Sequence, residues 1–102
     1  MTLRGAAAKI AVNMEQSLAI PVASSQRVIP VKVIDENRRI LNQHRTLSGK
    51  SKISYTNLVA WAIVKALGKH PNLNNAFGEV NGEPHRFVRH EINIGIAVDV
   101  AG

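Results

Sequence analysis

Gly49, Lys50 and Ser51 form the string in this chain that most resembles phosphate-binding chemistry. A phosphate-binding loop of the Gly-x-x-x-x-Gly-Lys-Ser type needs a second glycine five places before the Gly-Lys-Ser string. His44 occupies that place, and no clear strand leads into the string. The residues therefore predict a loop rather than a site for a nucleoside triphosphate.

The histidines are the other candidates for chemistry, as metal ligands or as general bases. They show no pair spaced for one helix, and the chain contains no cysteine that could complete a zinc site. No Gly-x-Ser-x-Gly elbow or dinucleotide fingerprint is present either. We expect surface or loop positions for all four: His44, His70, His85 and His90.

Positive charge is concentrated in the middle of the chain. The net charge is +6, and residues 37–78 include no acidic residue. Such a stretch attracts phosphate-bearing small molecules, nucleic acid or anionic membrane surfaces, and it also suits a solvated basic rim around a core helix. Nucleic acid is not the expected partner, because only Tyr55 and Trp61 offer aromatic platforms for bases. The cationic residues are Arg38, Arg39, Arg45, Lys50, Lys52, Lys65 and Lys69.

The length and composition fit one small intracellular domain. The chain has 102 residues, 45% of them hydrophobic, and without cysteine it has no disulfide. Its longest apolar run, 58–64, has seven residues, whereas a membrane span needs about 20. We expect a cytoplasmic protein with no membrane partner.

Three helices are predicted to position these residues. Apolar residues spaced by three or four predict a helix over 3–18, and Pro30 can open a second helix that extends to Arg45. Residues 48–51 form a loop, and Thr56 is the expected N-cap of a third helix over 57–69. Since this third helix is apolar on nearly all sides, we expect it to be buried between layers. On the second helix, the side chains expected to face inward are Val33, Ile34, Ile40 and Leu41.

Strands complete the predicted architecture. Alternating and β-branched residues predict a strand over 22–29, and Asn81-Gly82 predicts a hairpin over 76–88. Residues 91–100 place Ile or Val at alternate positions with small residues between them, so we expect a strand whose second face is approached closely. Together the elements predict helices on one face of a mixed sheet.

Four segments in one order resemble a known family, the catalytic domain of 2-oxoacid dehydrogenase acyltransferases. The first is LRGAAAKIAVNMEQSLAIP, and the second is KISYTNLVAWAIVKALGKHPNLN with Pro71 and Asn74 at the family's positions. The hairpin FGEVNGEPHRFV and the string INIGIAV complete the resemblance. It covers nearly the whole chain, so residues 1–102 are interpreted as the N-terminal half of such a domain with no internal boundary.

The resemblance implies a fold and an assembly. The expected fold is an α/β (α+β) two-layer sandwich of the chloramphenicol acetyltransferase-like type, which works as a trimer with active sites between subunits. Half of such a domain would expose a sheet edge and apolar faces, and exposed surfaces of this kind recruit partners. We therefore expect the 102 residues to self-associate when studied alone.

The resemblance also implies chemistry, namely transfer of an acyl group between dihydrolipoamide and coenzyme A. In the family, a histidine in a His-x-x-x-Asp-Gly motif is the general base, and a hydroxyl or amide donor stabilises the oxyanion. No histidine of this chain has that motif. No catalytic residue is therefore assigned, and we expect the 102 residues alone to be inactive.

Substrate-binding residues are assigned by position in the resemblance. Ser24 and Arg27 correspond to a strand near the family's substrate channel, and Asn93 and Asp99 belong to the strand near the point where the two thiols meet. Arg4 could contact the phosphates of coenzyme A. Ordinary strand, turn and surface positions remain open for all five. The same phosphates could instead be contacted by the cluster of Arg45, Lys50 and Lys52.

A subgroup is indicated by IPVASSQRVIPVKVIDENRRILN and RTLSGKSKISYTNL. Both are similar to the acyltransferase-like domain of actinobacterial 2-oxoglutarate dehydrogenase and decarboxylase enzymes. The acyl group would then be succinyl, and the longer parent chain would carry thiamine diphosphate and magnesium in another domain. Implied partners are the decarboxylase, the dihydrolipoamide dehydrogenase and a lipoyl domain. Two alternatives stay open: a non-catalytic scaffold with the same fold, and a basic module that binds an acidic partner or nucleic acid.

Overall fold

The chain forms two compact units, Met1–Pro30 and Val31–Gly102. The computed structural model describes residues 1–100. Each unit is described by itself below. The interpretation of residues 1–102 as one half-domain stays a prediction.

The first unit contains a single helix, α1, Ala6–Ser17. It lies within the predicted range of 3–18, and the turn after it is closed by main-chain hydrogen bonds such as Leu18 N to Glu15 O at 3.2 Å. The strand predicted over 22–29 is wrong, because those residues have no regular secondary structure. Strand-type side chains do not form a strand by themselves: the main-chain groups need a paired neighbour, and this unit offers only a helix.

The second unit begins with two helices, α2 at Lys32–Leu47 and α3 at Tyr55–Lys69. Both were predicted, with α2 displaced by two residues at each end. The expected N-cap of α3, Thr56, is wrong. Ser54 is the cap, since its hydroxyl accepts a hydrogen bond from Asn57 N at 3.2 Å while Asn57 Oδ1 accepts from Ser54 N at 2.9 Å. This reciprocal pair is a capping box, in which Asn takes the place of the usual Glu or Gln.

A short 3-10 helix, Pro71–Asn74, leads from α3 into the β-hairpin. Its strands, β1 at Ala76–Val80 and β2 at Glu83–Phe87, are antiparallel. The turn residues Asn81 and Gly82 have φ values of 53° and 76°. Positive φ at both central positions is what a two-residue hairpin requires, so the predicted hairpin is confirmed with its turn.

The strand predicted over 91–100 is also wrong, because these residues have no regular secondary structure. Within the described residues the sheet has two strands, so the mixed sheet is not formed, although the chain does combine helices with β structure. The expected close approach to the small face is absent at Gly95, where an added Cβ would meet no atom within 4 Å.

No side chain among residues 1–100 is buried. The expectation that α3 is buried between layers is therefore wrong for this chain: Val59 and Trp61 are 56% and 63% exposed. Val33 and Ile40, predicted to face inward on α2, are each 65% exposed. The apolar residues follow a core-forming pattern, but these 100 residues do not provide the surfaces that would cover them. No helix in this part of the chain is long and apolar enough to cross a membrane.

Candidate functional site

The segment between α2 and α3 reverses direction at Gly49. Lys50 N donates to Arg45 O at 2.8 Å and Gly49 N donates to Thr46 O at 3.1 Å, the hydrogen-bond pattern of a Schellman motif. Gly49 has a φ of 70°, which a side chain would disfavour. The Gly-Lys-Ser string is thus a helix C-terminus, as the missing second glycine indicated.

Side chains from one face of α2 hold the returning loop by its main chain. Asn42 Nδ2 donates to Ile53 O at 3.0 Å, and Asn42 Oδ1 accepts from Ile53 N at 2.6 Å. Arg45 Nε donates to Ser51 O at 2.6 Å, and Arg38 Nε donates to the same Ile53 O at 3.2 Å. Because Arg38, Asn42 and Arg45 are spaced by four and three, they share a helix face. The loop therefore runs back along α2.

An acidic residue and a tyrosine fix the N-terminal end of this face. The Tyr55 hydroxyl donates to Asp35 Oδ1, and Arg39 Nη2 lies 2.9 Å from Asp35 Oδ2. Arg38 stacks on the Tyr55 ring, its Cζ 4.5 Å from the centroid. The Tyr55 hydrogen bond holds the pKa of Asp35 below its usual range, with partial desolvation opposing it and Arg39 adding to it. The same hydrogen bond raises the pKa of Tyr55.

The result is an open cleft of about 440 Å³ on α2, which we call the α2 cleft. Its cationic residues are Arg38, Arg39 and Lys52, and the rest of its lining is uncharged. A second groove, of about 430 Å³, runs between α3 and residues 94–97 and is mainly apolar. The α2 cleft suits an anion, whereas the groove suits apolar side chains.

The predicted substrate-binding residues lie at exposed positions. Arg4 precedes α1, and Ser24 and Arg27 lie in the irregular residues that follow it, so the channel strand predicted there is not formed. Asn93 lines a small cleft with Arg89, His90 and Glu91, and Asp99 is not part of that lining. Their assignment to substrate stays a prediction.

The predicted phosphate cluster is divided by the structure. Arg45 holds Ser51 O, and Lys50 belongs to the turn at Gly49, whereas Lys52 lines the α2 cleft. Sequence reasoning missed Arg38 and Arg39 as cleft residues. The concentration of positive charge over residues 37–78 was visible in the sequence. The path of the loop decides which of these cations share one surface, and the sequence does not give that path.

The histidines of the described residues form few polar contacts. Among residues 1–100, the one hydrogen bond of a histidine ring joins His85 Nδ1 and Glu83 O at 2.9 Å. A histidine base paired with a nucleophile is therefore absent from the described residues. They also contain no group of three or more side chains that could hold a metal ion.

Comparison with known proteins decides the family. The whole chain, residues 1–102, matches the family described as 2-oxoacid dehydrogenases acyltransferase (catalytic domain). The chain belongs to this acyltransferase family. The resemblance drawn from the four sequence segments is confirmed.

Bacterial relatives of this chain share a further description. A protein of Mycobacterium sp. (strain JLS), called a multifunctional 2-oxoglutarate metabolism enzyme, is 45% identical over 100 residues. A protein of the same description from Mycolicibacterium vanbaalenii is 43% identical over 100 residues. In both cases the match covers 98% of this chain and 8% of the relative, so the chain spans about a twelfth of their length. The resemblance to the 2-oxoglutarate subgroup is thereby confirmed.

The structure gives one of the family positions in this chain a physical role. Asn74, three residues after Pro71, donates from Nδ2 to Glu91 O at 2.8 Å. The bond ties the residues after the hairpin to the short helix before it.

Proposed function

We propose that this chain supplies the N-terminal half of a dihydrolipoamide acyltransferase domain with a chloramphenicol acetyltransferase-like fold. The domain transfers an acyl group, succinyl in this subgroup, between dihydrolipoamide and coenzyme A within a cytoplasmic 2-oxoacid dehydrogenase complex. The supporting observation is the family match over all 102 residues. The choice of succinyl rests on relatives that are described as enzymes of 2-oxoglutarate metabolism.

In this reaction a thiol attacks the carbonyl carbon of a thioester. A general base takes the thiol proton, and a donor stabilises the oxyanion of the tetrahedral intermediate before the second thiol leaves. The chain has no His-x-x-x-Asp-Gly motif, so the base has to come from residues outside these 102. This half therefore contributes framework and substrate contacts, and alone it is inactive.

The proposed substrate contacts are Arg4, Ser24, Arg27, Asn93 and Asp99. Coenzyme A and the lipoyl group of a lipoyl domain are the substrates. The assembly is a trimer or larger and works with the decarboxylase and dihydrolipoamide dehydrogenase. Thiamine diphosphate and magnesium belong to another domain of the parent chain.

A non-catalytic scaffold is the second candidate. It is favoured by the exposed apolar side chains, which suit assembly contacts. A basic module that docks onto a polyanion is the third. It predicts binding that weakens steeply with salt, as counterion release demands.

The deciding experiment uses the full-length product of the gene that encodes this chain. Its coding sequence is read past Gly102 for His-x-x-x-Asp-Gly, and the product is assayed for succinyl-coenzyme A formation from succinyl-dihydrolipoamide and coenzyme A. Activity that is lost when the motif histidine is replaced by Ala supports the transferase. The isolated 102 residues are the matched control and should be silent. A full-length product with neither motif nor activity leaves the scaffold.

A further inference from the structure

We propose that residues 89–99 pair with the same residues of a second copy of this chain, as an antiparallel β-ribbon with twofold symmetry. Among residues 1–100, none of the main-chain hydrogen bonds involves residues 92–100. The segment nevertheless alternates Ile or Val with small residues, which is the period of a strand. A strand-type segment with free main-chain groups is a template on which another strand can form.

This segment faces α3 on one side. Ile92 lines a small cleft together with Leu67, near the C-terminal end of the helix. Ile94 and Ile96 line the apolar groove together with Val59, which is nearer to the N-terminal end. The segment therefore runs along α3 in the opposite direction to the helix, and a second strand has to approach it from an edge.

The hydrogen bond from Asn74 decides which edge is free. In a strand, the N–H and C=O groups of one residue point to the same edge, and those of the next residue point to the other edge. Glu91 O accepts from Asn74 Nδ2 at 2.8 Å, so the edge of the odd-numbered residues faces the short 3-10 helix of the same chain. The main-chain groups of Ile92, Ile94 and Ile96 then point to the opposite edge, where they bond to the second copy.

Charge complementarity favours a second copy as the partner and fixes the register. Arg89 and Asp99 lie five positions on either side of Ile94. When the ribbon is centred on Ile94, Arg89 of each copy lies opposite Asp99 of the other, and the twofold symmetry provides this favourable pair twice. A ribbon centred on Gly95 would instead place Glu91 opposite Asp99, and like charges in that position repel.

The same register matches the apolar side chains. Ile92 of one copy lies opposite Ile96 of the other, and Ile94 lies opposite its own counterpart. Side chains that lie opposite each other share a face, so the Ile side chains of both copies are on the face turned toward α3. A shift by one residue would move those of the second copy to the other face.

The first test is amide hydrogen exchange of the 102-residue chain, below and above the dimer dissociation constant measured by sedimentation equilibrium. Above it, the amides of Ile92, Ile94 and Ile96 should be protected about tenfold more than those of Asn93 and Gly95, because only the first set faces the second copy. Below it, this alternation should disappear. Alternating protection that persists in the monomer would mean that the same chain supplies the bonds, and this would overturn the proposal.

Charge exchange tests the register. Asp99→Arg and Arg89→Asp should each weaken dimerisation about tenfold, which corresponds to about 1.4 kcal/mol, because like charges then oppose each other twice. The chain with both substitutions should regain the original affinity, as should a mixture of the two single variants. The matched controls, Glu83→Arg and Arg86→Asp, make the same charge changes on β2 and should alter affinity less than about twofold. Equal weakening in the controls, or no recovery in the double variant, would refute the register.

Association through the exposed apolar side chains alone gives a different result. It would produce dimers without alternating protection, and charge exchange at residues 89 and 99 would not affect them, so this result would also overturn the proposal. The exchange experiment uses the unaltered chain and covers the case in which a variant does not fold. Dimerisation involves no acyl transfer, so these results are independent of the acyl-transfer proposal.

Discussion

Asn42 satisfies both main-chain groups of Ile53 with one side chain. This arrangement is the side-chain equivalent of one rung of a β-ladder, and it gives an otherwise irregular loop a fixed register against α2. Unpaired main-chain groups that are shielded from water are costly, so the amide at residue 42 determines where Lys52 lies.

Replacement of Asn42 by Ala should destabilise the fold by about 1–3 kcal/mol, because two hydrogen bonds are lost together. The sharper readout is hydrogen exchange at the Ile53 amide, which should become much faster in the variant. Gln43→Ala is the control, since it removes a neighbouring amide that holds no part of the loop. Unchanged exchange at Ile53 would mean that something else fixes the loop.

The pair of Asp35 and Tyr55 gives the fold a pH dependence at both extremes. A carboxyl whose pKa is depressed in the folded state adds stability above its unfolded pKa, and this is lost as the pH falls through the folded value. The raised pKa of Tyr55 acts at the other end: its contribution holds below the ordinary tyrosine pKa and disappears as the pH rises through the folded value.

Tyr55→Phe should raise the pKa of Asp35 toward its ordinary value, because the phenolic donor is removed while the ring under Arg38 stays. Titration of the Asp35 carboxyl carbon by NMR measures this directly. Arg39→Gln should raise the same pKa less, since the Tyr55 hydrogen bond is the larger cause. A larger effect from the arginine variant would reverse that order.

At this scale the sequence indicated the kind of chemistry but not the grouping of residues. The stretch 37–78 without acidic residues pointed to a surface that can attract anions. It could not separate Arg45, which holds Ser51 O, from Lys52, which lines the cleft. That separation depends on hydrogen bonds between residues 6 to 15 positions apart, which no local pattern encodes.

Among the elements, α3 owes its first turn to the capping box of Ser54 and Asn57. Ser54→Ala should destabilise the fold by about 1 kcal/mol, a typical effect of losing an N-cap hydroxyl. Thr56→Ala removes the hydroxyl that the sequence favoured as the cap and should leave stability nearly unchanged. Urea denaturation of both variants, followed by circular dichroism, compares them. Equal losses would argue against Ser54 as the cap.

Elements that are determined by residues close together in the chain were predicted well. Strands that depend on pairing with a distant segment were not. The three helices and the Asn81-Gly82 hairpin follow from periodicity, caps and turn residues close together in the chain. Residues 22–29 and 91–100 carry strand-type alternation, but a strand also needs a neighbour with free main-chain groups. The alternation still indicates that each segment has one apolar face, and the described residues do not cover that face.

For the molecule as a whole, the exposed apolar surface is energetically unfavourable. Side chains such as Trp61, 63% exposed, and Ile63, 43% exposed, would normally be removed from water. We expect the 102-residue chain to self-associate at micromolar concentration, as measured by light scattering coupled to size exclusion. Trp61→Gln with Ile63→Gln should lower the apparent mass, and Lys65→Gln should not. A monomer in the unaltered chain would contradict this expectation.

The bond from Asn74 to Glu91 O has a consequence for loop-closure entropy. Without it, residues 92–100 would be tethered at Phe87, the last residue of β2. With it, the tether begins at Glu91, and fewer free residues separate the fold from any main chain that pairs with the Ile and Val alternation. Shorter tethers raise the effective concentration of the segment they hold. The amide of Asn74 therefore reduces the loop-closure entropy that is lost when residues 92–100 join a sheet.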